Sequence, residues 1–180
     1  MKFAKSLAFA AASLAFAAAA NAQMPSGAYA EVGYTAATYT SSGTSKTVNP
    51  SAIRLIVGGN INTNLGLEGM AAFGAGSSNV NVSGVDIAVK IDNMYGLYLK
   101  PKYQLNDDVE LFGRVGFAHV GASASAMGVS ATDSVDGASY GVGGSFKLKD
   151  KYSLNVDYMS YGSKDGGNYN GLTVGLGYKY

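Results

Sequence analysis

The chain has 180 residues, 13 basic against 12 acidic, with 25 glycines, 13 tyrosines, no tryptophan and no cysteine. Without cysteine there can be no disulfide framework, thiol nucleophile or cysteine-ligated metal. Near-neutral charge offers no basic excess for nucleic acid or another polyanion.

Residues 1–22 read as an export signal. Lys2 and Lys5 supply a positive start, Leu7 to Ala20 is an apolar run, and Ala20-Asn21-Ala22 offers a small-x-small cleavage site before Gln23. The run falls short of the roughly 20 apolar residues that span a bilayer. Residues 23–180 then form one domain. Loss of Lys2 and Lys5 leaves it 11 basic residues against 12 acidic ones.

A period of two picks out eight strands, because successive side chains of a strand point to opposite faces. The first covers about Ala28–Thr40, with Val32 and Tyr34 opposite Glu31 and Gly33. The second, Ala52–Asn62, sets Ile53, Leu55 and Val57 against Arg54, Gly58 and Asn60. The third begins at Leu65, with Leu67, Ala71 and Phe73 opposite Glu68 and Met70. The fourth ends near Gln104 and sets Tyr95, Leu97, Leu99 and Tyr103 against Tyr98, Lys100 and Lys102. The fifth starts at Val109, with Leu111, Val115 and Phe117 opposite Glu110, Phe112 and Arg114. The sixth, Ala138–Leu148, opposes Tyr140, Val142 and Phe146 to Gly141, Gly143 and Lys147. The seventh, Tyr152–Tyr161, sets Leu154, Val156 and Tyr158 against Asn155 and Asp157. The eighth ends the chain, with Leu172, Val174, Leu176, Tyr178 and Tyr180 alternating with Thr173, Gly175, Gly177 and Lys179.

Tight polar turns at 62–64, 106–108 and 149–151 alternate with longer links at 41–50, 74–84, 122–137 and 162–168. Strict alternation puts the short turns on one rim and the long loops on the other, as outer-membrane barrels do. The charges of the strands share one face: Glu31, Arg54, Glu68, Lys100, Lys102, Glu110, Arg114, Lys147, Asp157 and Lys179. Many glycines fall on that face too, which fits the crowded interior of a narrow barrel. A soluble barrel with its apolar face inward is the rival. Tyr95 and Tyr103 speak against it, since they lie eight residues apart on the apolar face. That is roughly 20 Å of depth for a tilted strand, close to the ~25 Å between the aromatic girdles of a membrane barrel.

Leu65-Gly66-Leu67-Glu68, Lys100-Pro101-Lys102-Tyr103 and the aromatic-terminated last strand resemble the small eight-stranded outer-membrane proteins of Gram-negative bacteria. These are the OmpX, OmpA-barrel and opacity-protein group, and the resemblance covers the mature chain. It implies an all-β, eight-stranded antiparallel up-and-down transmembrane barrel in the bacterial outer membrane, monomeric and surrounded by lipid. It also implies that Leu172, Val174, Leu176, Tyr178 and Tyr180 are read by the outer-membrane assembly machinery. The group suggests a non-enzymatic, structural role, with surface interaction or adhesion through the external loops. No cofactor, metal or nucleic acid is expected. Pro101 is expected at a bulge near the short-turn rim.

The barrel interior is wide enough only for side chains, so a narrow pore is a weak alternative. Val80-Asn81-Val82 and Val85-Asp86-Ile87 flank Ser83-Gly84, a hairpin signal. The period of two continues from Val85 past the 9–11 residues a membrane strand needs. The third and fourth strands should therefore project as a ribbon, joined by the fifth and sixth. The other alternative is an enzyme modifying lipid A. It centres on His119, which points to lipid by parity, with Ser123 and Ser125 nearby but no acid at an evident spacing to orient the imidazole.

Overall fold

The computed structural model describes residues 27–41, 47–82, 85–126, 129–164 and 167–180. Ala20 and Ala22, the expected cleavage site, lie outside them. The described chain is all β. In chain order the strands are β1 (Tyr29–Ser41), β2 (Thr47–Val48), β3 (Ser51–Asn62), β4 (Leu65–Val82), β5 (Val85–Gln104), β6 (Val109–Ala126), β7 (Val129–Lys149), β8 (Tyr152–Lys164) and β9 (Gly167–Lys179).

Eight long strands form an antiparallel up-and-down meander, and β9 pairs back onto β1 to close it. The closing seam runs from Tyr29 opposite Lys179 to Ser41 opposite Gly167, so the last strand is held along its whole length. Closure satisfies the backbone groups that an open edge would leave bare in lipid. The ninth strand, β2, was not foreseen. It adds two rungs to the outer end of β1, Tyr39 to Val48 and Thr40 to Thr47.

Two of the three short turns are built by asparagine. The Asn62 side chain accepts the Asn64 amide at 2.9 Å. Asn106 Oδ1 accepts the amides of both Asp108 and Val109, at 3.0 and 2.9 Å. Such bonds replace the ladder where the chain reverses.

Burial follows the expected period. Along β9, Leu172, Val174 and Leu176 are about half exposed while Gly171, Thr173, Gly175 and Gly177 are buried. The exposed set is apolar and the buried set small or polar, the reverse of a soluble barrel.

Several expectations need correction. The links read at 74–84, 122–137 and 162–168 are largely strand: β4 runs to Val82, β6 to Ala126 and β8 to Lys164, while β7 begins at Val129 rather than near Ala138 and β9 at Gly167. Pro101 sits at no bulge. Register with β6 is identical on either side of it, Leu99 to Val115 and Lys102 to Phe112. The missing N–H costs local pairing without a slip. Opposite the ring is Gly113, where even a Cβ would approach Pro101 Cγ to 3.5 Å.

The barrel is lopsided. β1, β3, β8 and β9 have 12 or 13 residues, whereas β4, β5, β6 and β7 have 18, 20, 18 and 21. The excess of five to nine residues amounts to about 15–30 Å of strand. One side of the barrel therefore continues past the long-connection rim as a four-stranded sheet.

Candidate functional site

Arg54 on β3 and Arg114 on β6 reach into the barrel from well-separated walls, each about 1% exposed. Arg54 Nη2 donates to Glu31 Oε1 at 2.8 Å, and its Nη1 donates to Asp157 Oδ1 at 2.8 Å. Arg54 Nη2 also bonds Asp157 Oδ2. Arg114 donates from Nε to Glu68 Oε2 at 2.5 Å, from Nη1 to Asp157 Oδ2 at 2.6 Å and from Nη2 to Glu31 Oε2 at 3.1 Å. Glu31 and Asp157 thus each bridge both arginines. Tyr29 and Asn155 fill further acceptor positions, donating to Glu68 Oε1 at 2.8 Å and to Glu31 Oε2 at 3.0 Å.

Toward the short-turn rim the network continues through lysines. Lys100 Nζ lies 3.6 Å from both Glu68 and Glu110. Lys102 Nζ lies 3.7 Å from Glu110 and donates to Asn60 at 2.7 Å. The Phe112 ring lies beneath Lys100 and Arg114, at 4.3 and 4.6 Å. Four carboxylates (Glu31, Glu68, Glu110, Asp157) meet four cations (Arg54, Arg114, Lys100, Lys102). A balanced count is what a buried cluster requires, since an unpaired charge there would be costly.

The structure therefore brings eight of the ten charged positions together. Lys147 and Lys179 stand apart. They are exposed, make no ion pair among the described residues, and line a basin of about 320 Å³ at the short-turn end.

Beyond the charges, toward the long connections, the interior is apolar, a feature the sequence reading missed. On β5, Lys100 is followed inward by Tyr98, Met94 and Ile91; on β6, Arg114 by Ala118 and Val120; on β8, Asp157 by Met159 and Tyr161. The available signal was their shared parity with the charged residues, except for Ile91, which turns inward past a register shift between Ile91 and Asn93. Tyr98 is anchored within this layer by Ser139 at 3.0 Å.

On the outer surface the row Tyr95–His119–Asp136 runs across β5, β6 and β7 in direct register. His119 stacks on Tyr95 with centroids 4.5 Å apart and planes 14° apart. Its Nδ1 lies 2.7 Å from Asp136 Oδ1. This corrects the expectation that no acid orients the imidazole; Asp136 fell in a segment read as loop. Ser123 and Ser125 do not complete a triad. Ser123 donates to Asp92, and Ser125 pairs with Ser130 at 2.8 Å.

Among the described residues, each margin of the projecting sheet has a strand neighbour on one side. β8 pairs with β7 only as far as Tyr140, leaving 129–139 with β6 as their one strand partner among the described residues. On the other side, 77–82 of β4 have β5 as their one strand partner among the described residues. Described charges on and around this sheet are mostly acidic: Asp86, Asp92, Asp133 and Asp136 against Lys90.

The family model of the outer membrane protein beta-barrel domain matches residues 7–180. No curated protein sequence matches the chain. Among solved structures, the attachment invasion locus protein Ail of Yersinia pestis is 22% identical, with 87% of this chain and all of Ail covered and a TM-score of 0.64. Neisserial surface protein A is 16% identical, over 86% of this chain and 98% of that one, with a TM-score of 0.67. OprG of Pseudomonas aeruginosa is 13% identical, over 86% and 96%, with a TM-score of 0.57. Ail has also been solved with the heparin analogue sucrose octasulfate; that structure is 20% identical over 87% and 100%, with a TM-score of 0.62.

Proposed function

The chain belongs to the outer membrane protein beta-barrel domain family and lies in the bacterial outer membrane; from that premise we propose a non-enzymatic barrel that presents a surface-interaction sheet outside the cell. The observation that carries this reading is the four-stranded extension of β4–β7, which outruns its neighbouring strands, above an interior filled by side chains. An exposed margin accepts an extended segment by backbone hydrogen bonding, and neighbouring side chains select among segments. The acidic balance of the described outer residues disfavours a polyanion of the kind bound by Ail and suits a basic or neutral partner.

The balanced ion-pair layer serves, in this reading, as a structural plug that locks strands distant in sequence and excludes a general pore. The outward residues Leu172, Val174, Leu176, Tyr178 and Tyr180 serve as the assembly signal. An enzyme acting on lipid A is the second reading, favoured by the His119–Asp136 pair alone. It lacks a nucleophile in contact with the imidazole among the described residues.

The test is to shorten β4–β7 to the height of β8 and compare surface attachment with that of wild-type cells. Loss of attachment with normal barrel folding is expected. Unchanged attachment contradicts the reading, and altered lipid A in a deletion strain favours the second one.

A further inference from the structure

The basin of about 320 Å³ at the short-turn end is not confined to the barrel interior. Ser153 and Asn155, which turn inward, line it together with Tyr152 and Tyr178, which face lipid. It therefore crosses the rim at β8 and β9 and joins the mouth of the barrel to the membrane interface.

Charge is divided around this rim. The arc at the β5–β6 turn carries Asp107 and Asp108, and the Asp108 carbonyl accepts the Lys147 amide at 2.8 Å, which sets acid beside lysine. Glu110 is taken by Lys100 and Lys102. The arc formed by the β7–β8 turn and the end of β9 carries Lys149, Lys151 and Lys179 against Asp150. The Lys179 amide donates to the Lys151 carbonyl at 2.8 Å, so these two lysines stand opposite each other on neighbouring strands. Like charges so placed repel. Among the described residues no ion pair relieves them. Beside them lies an aromatic cluster, with Tyr178 edge-on to Tyr152 and Tyr180 at 5.2 and 5.1 Å between centroids. Lys151 Nζ lies 5.6 Å from the Tyr178 centroid. Tyrosines of a membrane belt sit at headgroup level, so an ammonium held on Tyr178 stands at the depth of the lipid phosphates.

We propose that this arc binds one anionic phospholipid of the periplasmic leaflet, of the phosphatidylglycerol type. Its phosphate lies between Lys151 and Lys179, its headgroup in the basin and its acyl chains over Tyr152 and Tyr178. Lysine meets a tetrahedral phosphate as a point charge, and both arginines of the chain are already spent in the interior. A lipid brings its phosphate to this depth together with the chains that cover the tyrosines, which a soluble phosphate does not. Phosphatidylethanolamine carries the same phosphate but adds an ammonium to an arc that is already basic. The net negative headgroup is therefore retained about tenfold better. The site lies at the opposite end from the projecting sheet and is independent of whatever that sheet binds.

The experiment places the mature protein in nanodiscs of equal phosphatidylglycerol and phosphatidylethanolamine with matched chains. Native mass spectrometry then counts the lipids that leave with the protein. One phosphatidylglycerol is expected, about tenfold over phosphatidylethanolamine. Lys151→Gln with Lys179→Gln should bring the ratio close to one, and the gel shift on boiling reports whether that protein still folds. Lys151→Arg with Lys179→Arg, which keeps both charges, should keep the preference. Lys90→Gln, which removes a charge at the far end, should leave it unchanged. Equal retention by wild type, a ratio unchanged in the double glutamine variant, or the same loss in Lys90→Gln would each overturn the proposal. So would saturable binding of free glycerol 3-phosphate to the protein in detergent, which would assign the lysines to a soluble phosphate instead.

Discussion

Arg114 shows why interior charges stay together. It meets three carboxylates, Glu31, Glu68 and Asp157, in a site almost sealed from solvent. Replacing it with Met strands those acids among too few cations, and removing one member of a buried pair typically costs about 3–5 kcal/mol. Urea unfolding from lipid vesicles should show a loss of that order for Arg114→Met. The double change Arg114→Met with Glu68→Leu should cost less than Arg114→Met alone, because it removes opposite charges together. Gly143 is the packing counterpart. A Cβ there would meet Phe112 Cζ at 2.5 Å and Asp157 Cβ at 2.6 Å. The latter contact lies next to backbone and cannot swing away. Gly143→Ala should therefore destabilise by about 1–3 kcal/mol in the same assay.

At the scale of the element, the upper part of β7 is the informative piece. Its residues 129–139 lack a β8 neighbour, whereas Tyr140 onward is paired on both sides. Hydrogen exchange should divide the strand there. Amides of 129–139 that face away from β6 should exchange at least 100-fold faster than those of 140–147, since locally exposed backbone opens at little cost. Uniform protection would mean that another strand covers this margin. The same division explains what could be read in advance. Strands through lipid must alternate, so Leu111, Val115 and Phe117 announced β6, and Leu172 to Tyr178 announced β9. A strand standing in water has two wet faces and no such period, so Val129-Ser130-Ala131-Thr132-Asp133-Ser134 looked like loop. Asp136 was lost with it, and so was the His119 partner. Eight interior charges declared themselves by parity. Lys147 and Lys179 share that parity but sit too close to the rim to reach the cluster. Met70, Met94 and Met159 also share it, but a mixed face concealed that the interior changes from ionised to apolar along its length.

For the whole molecule, two stacked layers close the axis, one of ion pairs and one of Tyr98, Met94, Val120, Met159 and Tyr161. Neither leaves the water-filled lumen of a larger barrel. Planar bilayers with purified protein should accordingly show no stable porin-like conductance; regular open steps would contradict a filled interior. The central claim is orientation, with apolar side chains outward to lipid and ionised ones inward. The chain contains no cysteine, so single cysteines placed along 172–177 can carry a spin label without background. In lipid vesicles, oxygen accessibility should be high at 172, 174 and 176 and low at 173, 175 and 177. A flat profile, or one with the opposite phase, would contradict the account.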